Sequence, residues 1–247
     1  MARWIEGRVV ENVHWTDSLY TLRIAADIAP FKAGQFGRLA LPVDDRPLGR
    51  PYSFVNPPQD EVLEFYSIVV QGGPISARLQ RLQPGEKLLV GPKGAGFFTL
   101  DLVADAEQLW MLSTGTALGP FLSMLRTDEP WRRFRQLVLV HAVRRAQELT
   151  YRRVIDDIAA QHPASFQYAP FISREDSDFA LGGRVPAAIT SGALEARTGL
   201  ALSPDHAQLM VCGNPDMVRD TSAALAQRGF APNTRKQRGQ ITTENYW

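Results

Sequence analysis

The chain has one cysteine, Cys212, among 247 residues, which rules out an internal disulfide. Its four histidines, His14, His141, His162 and His206, are scattered without metal-ligand spacing, so no resident metal is expected. Charge of neither sign dominates: 27 Lys and Arg stand against 26 Asp and Glu, and the global field that nucleic-acid or membrane-surface binding uses is missing. No apolar run is long enough for a membrane span, and Met1-Ala2-Arg3-Trp4-Ile5-Glu6 does not lead into a signal peptide. A cytoplasmic protein without nucleic-acid or membrane partners is therefore expected. Internal repeats and low-complexity tracts are also absent. With 45% apolar and 21% charged residues, what remains is ordinary globular material, long enough for two domains with a core each.

Two rhythms divide what is there. From Ile5 to Leu100, short apolar or alternating runs (Gly7 to Val13, Leu19 to Ile24, Gln35 to Leu41, Val62 to Val70, Glu86 to Val90) alternate with breakers such as Pro47, Pro57-Pro58, Gly72-Gly73-Pro74 and Pro84-Gly85. This pattern predicts a small antiparallel β-barrel or sandwich with one helix, Ile75 to Leu82. After Asp101, apolar strands (Gln108 to Ser113, Gln136 to His141, Phe166 to Pro170, Gln208 to Cys212) alternate with helices (from Pro120, Tyr151 to Ala160, Val185 to Leu194, Pro215 to Arg228). That alternation predicts an α/β domain with a parallel sheet covered on both faces. The expected division is a barrel domain at 1–100 and an α/β domain at 101–247.

Ser113-Thr114-Gly115-Thr116 ends the first strand of the second half and leads into a helix, where a glycine turn and unpaired N–H groups suit a phosphate. Alone, such a glycine is as well explained by a simple turn. The second strand adds weight: Leu137 to His141 runs into Ala142-Val143-Arg144-Arg145, cations where an NAD site commonly has an acid. Arginine grips a 2′-phosphate with several donors and gains little from an uncharged ribose, which favours NADPH over NADH. In the first half, Tyr52 offers a ring face and Ser53 a hydroxyl, the two needs of a flat conjugated ring such as a flavin. Arg50, on the same side of the strand as Tyr52, can reach a diphosphate, as can the helix start after Gly73 with Ser76 as a donor. An Arg and a Tyr flanking a surface strand is the bland alternative.

Taken together, Arg50-Pro51-Tyr52-Ser53, Gly73 through Leu79, Ser113 through Pro120 and Cys212-Gly213-Asn214-Pro215-Asp216-Met217 resemble the ferredoxin/flavodoxin-NADP reductase family, specifically its bacterial branch, along essentially the whole chain. The resemblance implies FAD as cofactor and NADPH/NADP+ as co-substrate. It assigns Tyr52 to stacking on the isoalloxazine, Ser53 to a bond near N5, and Arg50, Pro51, Gly73 and Ser76 to the FAD site. Gly115 and Thr116 form the nicotinamide turn, with Thr116 also near the FAD. Cys212, Gly213 and Met217 edge the nicotinamide pocket, and Arg144, Arg174 and Arg184 hold the 2′-phosphate and adenosine. Ser53, Cys212 and Glu244 are the implied catalytic group. Two departures stand out: Ala117 lies where many relatives have glycine, and the chain runs on to Tyr246-Trp247, a tail expected to return to the FAD with Trp247 at the adenine.

The implied activity is hydride transfer between nicotinamide C4 and flavin N5, with electrons exchanged with a one-electron carrier, ferredoxin or flavodoxin, by a monomeric enzyme. Two other readings are open: an NADH-preferring flavin reductase serving an oxygenase, and a non-catalytic flavin-binding relay or regulatory subunit. The single cysteine leaves no ligands for an iron-sulfur domain of the chain's own.

Overall fold

The computed structural model describes residues 3–44, 46–234 and 236–246. It divides into two compact units, Met1–Thr99 with Gly119–Thr127, and Leu100–Leu118 with Asp128–Trp247.

The first unit is built on β1 (Ile5–His14), β2 (Leu19–Ala25), β3 (Phe36–Val43), β4 (Arg46–Ser53), β5 (Val62–Ile68) and β6 (Lys87–Val90). They pair antiparallel in the order β4-β3-β6-β1-β2-β5. The two outer strands meet where the chain leaves β4: Phe54 bridges Phe65, and the Val55 N–H donates to the Glu64 carbonyl at 2.9 Å. The sheet thus curls into the expected barrel. Its interior is aromatic, with Phe31 stacked on Phe54 at 3.9 Å and Phe54 tilted on Phe65 at 5.2 Å. Gly37 makes room for this, since a Cβ there would lie 2.9 Å from Phe54 Cζ.

β4 goes beyond the sequence reading, which treats Pro47 as a breaker. It pairs only with β3, its prolines facing Pro42 and Arg38, and such a one-sided strand tolerates a missing N–H. The helix expected over Ile75 to Leu82 is shorter, α1 (Ser76–Gln80). Asn12 Nδ2 ends it by donating to the carbonyls of Gln80 and Leu82 at 2.7 and 2.8 Å. α2 (Leu118–Leu125) follows the glycine turn. Its Ser123 hydroxyl donates to the Asn56 carbonyl at 2.7 Å, Phe121 meets Phe98 edge-on, and the following Arg126 pairs with Asp60 and Glu64. Residues Gly119–Thr127 are therefore packed into the barrel's unit, although the sequence rhythm places them with the second half.

The second unit holds β7 (Gln108–Thr114), α3 (Glu129–Arg133), β8 (Gln136–Val143), α4 (Arg152–Gln161), β9 (Phe166–Ile172), β10 (Leu181–Gly182), α5 (Val185–Ser191), α6 (Ala193–Thr198), β11 (Ala207–Gly213), α7 (Pro215–Ala226) and β12 (Ile241–Asn245). All its strands are parallel, in the order β10-β9-β8-β7-β11-β12. The central strands β7, β8 and β11 are buried almost end to end, as strands covered on both faces must be. The single helix expected over Val185 to Leu194 is two, broken at Gly192, whose φ of +77° no helical residue adopts. Arg228 clamps this region, bonding both oxygens of Glu195 at 2.6 and 2.9 Å and the carbonyls of Ile189 and Leu202. Among the described residues no helix is long and apolar enough to cross a membrane.

Candidate functional site

In the parallel sheet the crossovers run one way from β7 through β8 to β9 and the other way from β11 to β12. The reversal lies between β7 and β11, and an open α/β sheet binds its ligand outside the carboxyl ends of the strands at that point. The residues there are Thr114-Gly115-Thr116 after β7 and Gly213-Asn214 after β11. Gly115 has φ +54°, and beyond its own adjoining backbone nothing lies within 4 Å of where its Cβ would stand, so one face of the turn is open. Thr114 Oγ1 accepts the Asn214 N–H at 3.1 Å, while Asn214 Oδ1 caps α7 by accepting from Asp216 and Met217. The two loops are laced together by side chains for which the sequence shows no more than a Thr and an Asn beside glycines.

One register level deeper, four strands place a polar residue side by side: His141 on β8, Ser113 on β7, Cys212 on β11 and Glu244 on β12. Cys212 Sγ lies 4.0 Å from Glu244 Oε2, and the Tyr246 N–H donates to the Gly213 carbonyl. Burial first, and the Glu244 charge second, push the Cys212 thiol well above its ordinary range, so it is no thiolate nucleophile at neutral pH. Burial also raises the Glu244 carboxyl to about 7. The sequence locates Cys212 and Glu244 only through the resemblance; their register pairing is what joins them.

A carboxyl raised in the folded state favours folding fully below its unfolded pKa of about 4.3, and loses that contribution as pH rises through the folded value. Glu244→Gln keeps a neutral group at every pH. Relative to wild type, this variant should therefore gain stability between about pH 5 and about pH 8, read as the difference in urea midpoints. An equal difference at both pH values would mean that Glu244 does not titrate in this window.

At the same edge of the sheet, Arg144 follows β8, Arg174 follows β9, and Arg184 precedes α5 just after β10. The three strands are neighbours, and the Arg174 N–H donates to the Arg144 carbonyl at 2.9 Å, so the structure gathers three exposed guanidinium-bearing residues. Glu148, which the sequence reading passed over, organises the loop. Its carboxylate accepts from the N–H groups of Arg144 and Arg145 at 2.8 and 3.2 Å and from Arg144 Nη2 at 3.2 Å. Its signal was available as an acid three residues after the arginine pair, at a helical turn.

In the first unit, Arg50, Pro51, Tyr52 and Ser53 lie at the end of β4. Arg50 is exposed, Tyr52 half-buried against the barrel core, and Ser53 buried. Burial raises the Tyr52 phenol to about 12, with Arg50 acting in the opposite sense, so the ring stays neutral. The Gly73 turn is tight: Ser76 Oγ accepts the Val70 N–H at 2.9 Å and turns back to its carbonyl at 3.4 Å. The Ser76 hydroxyl thus braces the turn that presents the start of α1. Arg78 Nη1 ties this helix to the Pro42 carbonyl on β3, the partner of β4. A ring face, a buried hydroxyl and an exposed guanidinium on one strand suit a flavin with its diphosphate. Trp247 lies outside the described residues. Among them, no group of His, Cys, Asp and Glu could hold a metal ion.

Residues 111–223 match the oxidoreductase NAD-binding domain family. The chain is 43% identical to the flavodoxin/ferredoxin–NADP reductase of Shigella flexneri and 42% identical to that of Escherichia coli K12, in both cases over the full length of both chains. Among solved structures it superimposes, with a TM-score of 0.93 and 33% identity over 99% of each chain, on a ferredoxin NADP+ reductase from Neisseria gonorrhoeae with bound FAD and NADP. An antiparallel barrel followed by a switch-point parallel sheet, and end-to-end identity at this level, have one explanation: the chain belongs to the flavodoxin/ferredoxin–NADP reductase family.

Proposed function

We propose that this protein is an FAD-dependent reductase that moves electrons between NADPH and a one-electron carrier, ferredoxin or flavodoxin. The observation that carries the nucleotide half is the set of exposed arginines at the ends of β8, β9 and β10, on the same edge of the sheet as the open Gly115 turn. Bound FAD supplies the chemistry, exchanging a hydride between its N5 and nicotinamide C4 and passing electrons singly to the carrier.

The chain's own residues bind and orient. In this reading the unit at 1–100 holds FAD: Tyr52 supports the ring, Ser53 donates near its reactive nitrogen, and Arg50, Pro51 and the Gly73–Ser76 turn face the diphosphate. The part at 101–247 takes the nucleotide, with Gly115 and Thr116 at its phosphates and Arg144, Arg174 and Arg184 at the 2′-phosphate and adenosine. Cys212, Gly213 and Met217 border the nicotinamide. Glu244, titrating near neutrality beside Cys212, can hold or release a proton there. The reading also takes the enzyme to be monomeric and cytoplasmic.

The test is an anaerobic titration of the purified protein followed by its visible spectrum. A yellow protein bleached at least about tenfold faster by NADPH than by NADH, and re-oxidised by ferredoxin or flavodoxin, is expected. A colourless protein that takes up no FAD would sink the proposal. Equal bleaching by both nucleotides would remove the NADPH preference, and a bleached protein that reduces neither carrier would remove the partner.

A further inference from the structure

His141 has no part in the reaction as proposed, yet it lies fully buried near the C-terminal end of β8, in the polar row beside Ser113. A buried imidazole is costly unless its nitrogens are used. Nε2 is used: it stands 3.1 Å from the Gly115 carbonyl oxygen. A carbonyl only accepts, so Nε2 carries the hydrogen. Burial lowers the imidazole to about 4, which leaves a neutral ring whose Nδ1 has no hydrogen-bond partner among the described residues. The bond to Gly115 is the polar contact that the ring makes.

Gly115 has no side chain to anchor it, and its φ of +54° lies in the left-handed region that glycine enters without strain. Its carbonyl is instead held by two donors, the Leu118 N–H from within the turn and His141 from the neighbouring strand. A trans peptide is planar, so fixing the Gly115 carbonyl toward β8 aims the N–H of Thr116 the opposite way. Ser113 strengthens the same junction, its hydroxyl donating to the Val140 carbonyl at 2.7 Å.

We propose that His141 is a positioning residue for the nucleotide: its Nε2–H holds the Gly115 peptide so that the Thr116 N–H and the helix start behind it face the nicotinamide-side phosphate of NADP(H). This rests on the reading of the Gly115 turn as a nucleotide site. It predicts a selective defect. Arg144, Arg174 and Arg184 lie on other loops, so recognition of the 2′-phosphorylated adenosine should not depend on His141.

The experiment uses the FAD-loaded protein and isothermal titration with two ligands, NADP+ and adenosine 2′,5′-bisphosphate, the second lacking the nicotinamide half. His141→Leu should weaken NADP+ by about tenfold, the worth of one buried hydrogen bond at the upper end of its range, and leave the bisphosphate within about twofold. His141→Gln, whose amide N–H has similar reach, should restore NADP+ binding to within about threefold of wild type. If leucine prevents folding, His141→Asn, too short to reach Gly115, takes its place with the same expectation. Unchanged NADP+ affinity in the leucine or asparagine variant would overturn the proposal, as would an equal loss for both ligands. Failure of the wild-type protein to bind NADP+ at all would overturn the nucleotide reading and this inference with it.

Discussion

Replacing Arg144 and Arg174 together by alanine is expected to raise the KM for NADPH by about a hundredfold while leaving that for NADH within about threefold. A hydrogen bond to a charged group contributes roughly 1.5–3 kcal/mol, and because both side chains are exposed, screening argues for the lower end. Two such contacts give about 3 kcal/mol, or about a hundredfold. NADH lacks the 2′-phosphate and should lose little. The geometry favours a joint effect, since the Arg174 N–H is bonded to the Arg144 carbonyl and the Arg144 side chain is held by Glu148. Arg144→Lys should fall between wild type and Arg144→Ala, because an ammonium keeps the charge but not the fork. Steady-state kinetics with both nucleotides decide the matter. If the two KM values rise together, the arginines support the loop and do not read the phosphate.

The parts of this molecule legible in its sequence are those where local pattern and tertiary role agree. The apolar runs of β7, β8 and β11 have no polar face because the sheet is buried on both sides, and the alternating runs before Leu100 belong to a barrel with one wet face. The missed elements are defined by neighbours. β4 carries Pro47 and Pro51 and is a strand only because β3 alone pairs with it. β12, Ile-Thr-Thr-Glu-Asn, has too little apolar content to announce itself and exists as a register partner of β11, which is what sets Glu244 beside Cys212. The helix after the Gly115 turn continues a β-α pattern, yet Ser123 and Arg126 anchor it to Asn56, Asp60 and Glu64, at a distance in sequence that no window spans. His141 reads as the last residue of an apolar strand; its bond to Gly115 depends on the parallel pairing of β8 with β7.

Ser53→Ala should slow the reduction of bound FAD by NADPH by about a hundredfold without releasing the FAD. The size follows from what one preorganised donor aimed at a reacting centre typically contributes, about 10²–10³ in rate. Preorganisation is visible in the backbone. Ser53 is the last residue of β4, opposite Phe36, and within two residues the chain has left β3 for β5, with the Phe54 N–H on the Gln35 carbonyl at 3.1 Å and the Val55 N–H on Glu64 at 2.9 Å. Shifting Ser53 would break the barrel's closure. Gly119 of α2 packs over the same segment, where a Cβ would stand 3.2 Å from Val55 Cγ2 and 4.0 Å from the Ser53 carbonyl. FAD retention rests on other groups, Arg50, Tyr52 and the Gly73 turn, so the hydroxyl's loss should appear in rate and not in flavin content. Stopped-flow absorbance at saturating NADPH measures the first, and the visible spectrum of the purified variant the second. Ser53→Thr, which keeps the hydroxyl at the cost of a methyl in a buried site, should recover to within about tenfold of wild type. A Ser53→Ala protein that arrives without FAD, yet reduces added FAD at the wild-type rate, would make Ser53 a cofactor anchor and remove it from the reacting group.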